Sequence, residues 1–440
     1  MKKIAILVFF TVGFFVHVWA CTGLIAGKQA TVDGSVLVTY SADSHTLYGA
    51  LTSSPAADWP KGSMRSIVEW DTNKPLGEIE QVEHTYAVIG NMNEHQLTVV
   101  ESTWGGRPEL VDTTGIIDYG SLMQLALERA KTAREAIKVM TGLVKKYGYY
   151  SSGESFTIAD PNEAWILDLI GKGPGRRGAV WVAVRIPDDC IAGHANYPRI
   201  HKIPMDDKEN CLYSPDVISF AREMGYFDGL NKDFSFARAY SPADFGALRA
   251  CDARVWSFFR KYDSTMDNYL PYVNGESAEP FPLYVKPSRK LSVQDMKEAM
   301  RDHFEDTPFD MTQDVGAGPF KVPYRFRPMS FEVDGKSYCM ERAIATQQTG
   351  FTLVGQMRNW LPDPVGGVLW FGVDDANTCV YIPMYCGITQ VPECFSPENG
   401  SMYDFSWTSA FWIHNWVANM AYARYEPMIG DIRKVQSAVE

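Results

Sequence analysis

Cys21 is the residue whose setting suggests chemistry first. It closes the stretch VHVWAC and opens CTGLIAG, where an apolar leader runs directly into a strand-like segment. Met1-Lys2-Lys3 forms a short positive region, residues 4–16 (IAILVFFTVGFFV) a compact apolar block, and Val18 and Ala20 occupy the −3 and −1 positions of a signal-peptidase site. The block is shorter than the about 20 residues a membrane span requires. Residues 1–20 therefore read as a removable export signal, with signal peptidase cutting just before Cys21. That cut would leave a thiol on a residue with a free α-amine, whose reference pKa lies near 8. The amine can take the thiol proton without a histidine, giving a base-activated nucleophile contained in one residue. Such a site also needs a carboxylate to orient the amine and neutral donors for the oxyanion. Cys21 has two further readings, as half of a disulfide or as a lipid attachment point. The bulky Trp19 in the Val18-Trp19-Ala20 run weakens the second.

Composition narrows the remaining chemistry. Of 440 residues, 46% are hydrophobic and 21% charged, an ordinary globular balance with material for a large core. The net charge of −12, with no Lys/Arg cluster, argues against nucleic acid as a partner. Cysteines stand at 21, 190, 211, 251, 339, 379, 386 and 394 without a C-x-x-C pair, and the histidines show no H-E-x-x-H. Metal chemistry and thioredoxin-like redox chemistry are thus poorly supported. In an exported protein, the four cysteines between 339 and 394 are the ones expected to form disulfides.

The elements that must position Cys21 follow from periodicity. CTGLIAG and SVLVTYSADS flank a turn at Lys28–Gly34 that contains Asp33-Gly34, a hairpin signal. TYAVIGNMN and LTVVEST read as strands joined by Glu94-His95-Gln96. Ala133, Ile137, Met140 and Val144 share one helical face, and a helix is expected over 120–146 with Gly148 as its stop. SFTIAD, AWILDLI and AVWVAVRI are strand-like. Gly173-Pro174-Gly175-Arg176-Arg177-Gly178 matches G-x-G-x-x-G, but it precedes a strand, whereas a dinucleotide fingerprint opens a helix. It reads as a hairpin loop. SVQDMKEAMRDHF (292–304) is a helix with Ser292 as N-cap and Asp295 three residues on. Strands are also expected at 366–373 and 379–385, and a helix over 409–425 that buries Trp412, Trp416 and Met420. Clustered rather than alternating strands and helices give an α+β class.

Nine segments in register carry a family resemblance: CTGLIAGKQATVDGS, ADS, GNMNEHQL, ESTWGGRPEL, LALERAKTAREAI, GESFTIADPNEAWILDL, HANYPRI, MRDHFEDTPFD and GGVLWFGVDDANTCVYIPMY. In this order they resemble the secreted or cytosolic cysteine dipeptidases of the N-terminal nucleophile (Ntn) hydrolase superfamily. More distantly, the start resembles penicillin V acylases and bile salt hydrolases. The resemblance implies one large domain over 21–440, a four-layer αββα sandwich with C-terminal elaborations, and hydrolysis of a dipeptide or small amide with no metal or cofactor. Cys21 matches the nucleophile, Asp43 the aspartate that holds its amino group, and Asn93 and Asn196 the two asparagines near the oxyanion. The family's R-N-x-D pattern is broken, because Tyr40-Ser41-Ala42-Asp43 has tyrosine where arginine is usual. Arg107 and Arg199 are the candidates to supply the missing cation, with Tyr40 beside the substrate. A dipeptidase also needs an acid for the substrate ammonium, which the sequence does not identify. An N-acyl amide acylase and an inactive lipoprotein anchored through Cys21 are the alternatives. The expected product is exported and free of the membrane, and the sequence is compatible with a homo-oligomer.

Overall fold

The computed structural model describes residues 21–325 and 330–440; the leader expected over 1–20 lies outside them. The hairpin after Cys21 forms as the pattern requires, with Gly23–Ala26 antiparallel to Val36–Asp43. The run VLVTYSAD is buried along its whole length because both faces are covered. Alternate side chains leave it on opposite sides, so Val36, Val38 and Tyr40 enter one core and Leu37 another.

This hairpin lies at the centre of a 7-stranded antiparallel sheet. Its order is Tyr284–Val285, Ile191–His194, Gly23–Ala26, Val36–Asp43, Thr349–Met357, Val368–Val373 and Ile382–Tyr385. An 8-stranded sheet runs Cys211–Tyr213, Ala179–Ile186, Ala164–Gly171, Gly153–Ala159, Thr98–Trp104, Met92–Asn93, Val88–Ile89 and Ser53–Ser54.

Three apolar cores hold these elements. One joins Val38, Tyr40 and Leu353 of the first sheet to Val100, Ile166 and Val182 of the second. Another sets Leu24, Leu37 and Val354 against Trp256 and Met296, from helices Ala253–Arg260 and Val293–Met300. The third packs Val99, Phe156 and Leu167 against helices Tyr119–Arg129 and Ala133–Tyr147. The mixed helix and antiparallel-sheet architecture agrees with the α+β expectation.

Several local expectations hold and several change. Gly173 to Gly178 form a hairpin loop into Ala179–Ile186, with Gly171 paired to Ala179. Ser292 and Asp295 make a reciprocal capping box, and Gly148 ends its helix at φ 80°. The helix expected over 120–146 is instead two. Ala130 turns extended (φ −129°, ψ 149°), and Thr132 caps a fresh start by accepting from the Glu135 N–H. Helix Ala410–Ala423 forms, but Trp416 and Met420 are 49% and 50% exposed, so they are not the core residues expected. Trp416 instead packs against Phe405 and Trp407 at the surface. The expected disulfides are absent: all eight cysteines are unpaired.

Candidate active site

Cys21 immediately precedes the bridge that joins Thr22 to Ser41, so the two strands of the hairpin bring its sulfur beside Tyr40 and Asp43. It is 3% exposed and lines a cavity of about 290 Å³. That volume is at the small end for ligand pockets, which run roughly 300–1,000 Å³. The floor carries Cys21, Tyr40, Asp43, Asn91 and Glu101; Leu47, Met123, Phe351 and Phe371 form apolar walls. Trp70 and Asp71 close one side. They project from the tip of hairpin Met64–Glu80, where the Trp70 N–H donates to Asp118 at 2.8 Å and Tyr119 Oη donates to Asp71 at 2.8 Å. Gly120 makes this seat available, because a Cβ there would lie 2.5 Å from the Trp70 side chain.

Tyr40 Oη lies 3.6 Å from Cys21 Sγ and 2.5 Å from Glu101 Oε1. A phenol has one hydrogen, and the short contact to a carboxylate claims it. The neutral thiol is then left to donate its own proton. Burial pushes the Cys21 thiol well above its ordinary pKa, and the charges of Glu101 and Asp43 add to this. The main-chain N–H of Asp43 acts in the opposite direction, as does the Tyr40 hydroxyl when its hydrogen turns from Glu101 to a thiolate. The resting group is therefore a thiol and needs a proton acceptor.

Asp43, 1% exposed, is fixed from three sides. Arg342 Nη2 pairs with Oδ2 at 2.5 Å, Thr349 Oγ1 donates to Oδ1 at 2.6 Å and Ser41 Oγ to Oδ2 at 3.1 Å. Arg342 is thus a cation beside the nucleophile's strand that sequence reasoning missed. Neither arginine proposed for that place reaches the cavity lining. Arg199 is 1% exposed and pairs with Asp252 at 3.0 Å, with Phe281 beneath its guanidinium. Arg107 donates to the Ala239 carbonyl at 2.7 Å and lies over the Tyr226 ring.

A second unanticipated arginine connects the nucleophile to Asn196. Arg254, 1% exposed, donates from Nη1 to the Cys21 carbonyl (2.9 Å) and Thr22 Oγ1 (2.7 Å). From Nη2 it donates to the Ala195 carbonyl (3.1 Å) and Asn196 Oδ1 (2.8 Å), and from Nε to Ala250 (2.8 Å). A guanidinium has five N–H groups, and each is engaged. Burial and the charge of Arg342 bring its pKa down to about 10.

Asn196 sits in the left-handed region at φ 58°, its Nδ2 donating to the Thr103 carbonyl at 2.6 Å and its N–H to Ser102 Oγ at 3.1 Å. His194 supports that turn: Nδ1 meets Ser102 Oγ at 2.6 Å and Nε2 meets Thr157 Oγ1 at 2.8 Å. Burial, with Arg254 nearby, lowers its pKa to about 3, so the ring is neutral. Gly23 lets it approach, since a Cβ there would lie 3.0 Å from the imidazole.

Asn93 does not join the site. Its Nδ2 donates to the Leu127 and Ala130 carbonyls, both at 2.8 Å, and Oδ1 accepts from the N–H groups of His95 (3.0 Å) and Leu97 (3.1 Å). It ties a tight turn to the end of helix Tyr119–Arg129. Asn91, two residues earlier, is the asparagine that lines the cavity, steadied by Nδ2 donating to the Val99 carbonyl at 3.0 Å. Strand alternation puts both on the same side of a regular strand, and the positive φ of Gly90 (51°) falls beside that pair.

Among the described residues no cluster of three His, Cys, Asp or Glu side chains could hold a metal ion, and no helix is long and apolar enough to cross a membrane.

The family model described as peptidase family C69 matches residues 20–438. A probable dipeptidase of Salmonella dublin is 27% identical over 396 residues, covering 84% of this chain and 81% of that protein. A probable dipeptidase of Latilactobacillus sakei is 24% identical over 429 residues, 92% of this chain and 82% of its own. Dipeptidase A of Lactobacillus helveticus gives the same identity and coverage, 24%, 92% and 82%.

Proposed function

Starting from the fact that the chain belongs to peptidase family C69, we propose that it is an exported dipeptidase whose nucleophile is the N-terminal Cys21 of the mature protein. That it is a cysteine-type peptide hydrolase accords with dipeptidase relatives aligned over more than four fifths of the chain. The observation that carries the mechanism is the position of Cys21. It lies two residues before a central strand, buried in a small cavity, and its thiol is held neutral. A nucleophile so placed requires a base within reach, and its own α-amine, freed by removal of residues 1–20, is the base supplied by the covalent structure.

In this reading the amine takes the thiol proton and the sulfur attacks the scissile carbonyl. Asn91, with the Asn196 turn held by Arg254, provides the neutral donors for the oxyanion. The ammonium then returns its proton to the leaving amine as the C–N bond breaks. Water, deprotonated by the same amine, cleaves the thioester and regenerates Cys21. Asp43, neutralised by Arg342, orients the amine side of the residue. We read the three cores as the interior of a four-layer αββα Ntn-hydrolase sandwich forming one domain over 21–440. The lipoprotein alternative would require a sulfur that is 3% exposed to leave its cavity to accept a lipid.

Intact-mass measurement of the mature protein, together with assays of unblocked dipeptides, tests this. A free Cys21 at the N-terminus and a loss of at least about 1,000-fold in kcat for Cys21→Ser are expected. A lipid adduct on Cys21, or full activity in Cys21→Ser, would overturn it.

A further inference from the structure

The mechanism above gives no role to a pair of buried carboxyls at the cavity floor. Glu101 is 2% exposed and Glu154 is fully buried. They stand on the paired strands Thr98–Trp104 and Gly153–Ala159, and Glu154 lies directly opposite Thr103. Thr103 Oγ1 donates to Glu154 Oε1 at 2.6 Å and is 3.4 Å from Glu101 Oε2. Burial and the neighbouring charge of Glu101 push Glu154 well above the usual carboxylate range, which makes it the protonated member. Burial raises Glu101 as well, but the Tyr40 hydroxyl donating to it favours its charged form, so Glu101 is the member of the pair that ionises first.

An anion here is unfavourable in two respects. It is a buried charge with no cationic partner among the described residues, and it opposes formation of the Cys21 thiolate. Only Glu101 of the pair lines the cavity. One phenolic oxygen, that of Tyr40, separates it from Sγ.

We propose that Glu101 binds the α-ammonium of an unblocked substrate, making this a site for peptides with a free N-terminus and an apolar first side chain. The proposal rests on the dipeptidase reading and supplies its missing acid. In an amino-terminal residue the ammonium nitrogen is two bonds from the scissile carbonyl carbon, about 2.5 Å away. With that carbon roughly 3–3.5 Å from Sγ for attack, the ammonium must fall close beside the nucleophile, where Glu101 stands. The first side chain then projects between Leu47, Met123, Phe351 and Phe371. Arrival of the ammonium also cancels one of the charges that oppose ionisation of the thiol. Correct substrate therefore lowers the cost of ionising Cys21, and its ammonium contributes to kcat as well as to KM.

Two measurements test this. The first compares kcat/KM for leucyl-glycine, its N-acetyl form and its desamino analogue, in the native enzyme and in Glu101→Gln. The native enzyme should prefer the free amine over the desamino analogue by on the order of 100-fold, and Glu101→Gln should shrink the ratio to about threefold or less. Equal losses on both substrates in Glu101→Gln would make Glu101 structural and overturn the proposal, as would native activity on the N-acetyl form that matches the free peptide.

The second measurement does not depend on turnover. Calorimetric titration of Cys21→Ala should show leucinamide binding at least tenfold more tightly than 4-methylpentanamide, with the difference lost in Cys21→Ala/Glu101→Gln. Equal binding of the two amides would overturn the proposal and leave the dipeptidase reading standing. Ammonium-dependent binding without any dipeptide hydrolysis would support the proposal and remove the dipeptidase.

Discussion

Arg342 Nη2 closes on Asp43 Oδ2 at 2.5 Å from 299 positions farther along the chain. The pair is buried on both sides, with side chains 8% and 0% exposed, and it restores a guanidinium to a site whose Tyr40 occupies the place where an arginine is usual. A buried pair of this kind is worth most in what its rupture would cost, because one charge is left without compensation. Arg342→Ala is expected to destabilise the protein by about 3–5 kcal/mol, measured by urea denaturation, with Arg342→Lys intermediate. A change below about 1 kcal/mol in Arg342→Ala would show that Asp43 finds another partner.

The two asparagines of GNMN should separate cleanly. Asn91→Ala is expected to lower kcat by about 100-fold or more with little change in melting temperature, the usual consequence of removing an oxyanion donor. Asn93→Ala should do the reverse, costing about 2–3 kcal/mol because two carbonyls and two N–H groups lose their partner. The assignment is wrong if kcat falls in Asn93→Ala and not in Asn91→Ala.

Tyr40→Phe removes a hydroxyl that acts against the raised Cys21 pKa. The thiol should therefore become harder to ionise. Iodoacetamide alkylation of Cys21, followed against pH, is expected to shift its midpoint upward, with kcat reduced about 10-fold or more. A midpoint that moves down would mean that the hydroxyl serves Glu101 alone.

Asp374 gives a pH prediction for stability. Burial raises its pKa to about 7, Oδ1 accepts from Asn415 at 3.0 Å, and Oδ2 has no hydrogen-bond partner. The folded protein keeps this proton from about pH 4 to about pH 7, whereas the unfolded chain, with the ordinary aspartate value, releases it. Stability from this group is thus present at low pH and declines as pH rises through that window. The total is on the order of 4 kcal/mol by about pH 7. Asp374→Asn, at a left-handed position that asparagine tolerates, should flatten the slope and raise the melting temperature at pH 8 more than at pH 5. An unchanged slope would assign the pH dependence to other carboxyls.

Local pattern made much of this molecule legible. The hairpin after Cys21, the Ser292–Asp295 capping box and the strand following the Gly173–Gly178 loop depend on neighbours a few residues apart, and each is found as expected. Cys21 and Asp43 share a site because that same hairpin joins them. The cations were not legible, since nothing near Arg254 or Arg342 in sequence indicates that their partners are Cys21 and Asp43. Arg199 and Arg107 stood in motif-like segments, but a guanidinium is directed by the carboxylate or ring that tertiary packing brings to it. Asn93 and Asn91 could not be distinguished by residue type. The deciding contact is with carbonyls at the end of a helix that the sequence pattern carried through without a break. The aromatic face of helix Ala410–Ala423 shows the same limit, as helical spacing marks a face without saying what covers it.

All eight cysteine sulfurs are unpaired, and seven of them take no part in the proposed mechanism. No covalent crosslink in this scaffold can be cut by a reductant. Dithiothreitol in an assay buffer therefore acts on sulfur chemistry alone and leaves the architecture as it was. Activity regained on reduction after mild oxidation can then be read as recovery of a thiol, not as the repair of a broken crosslink.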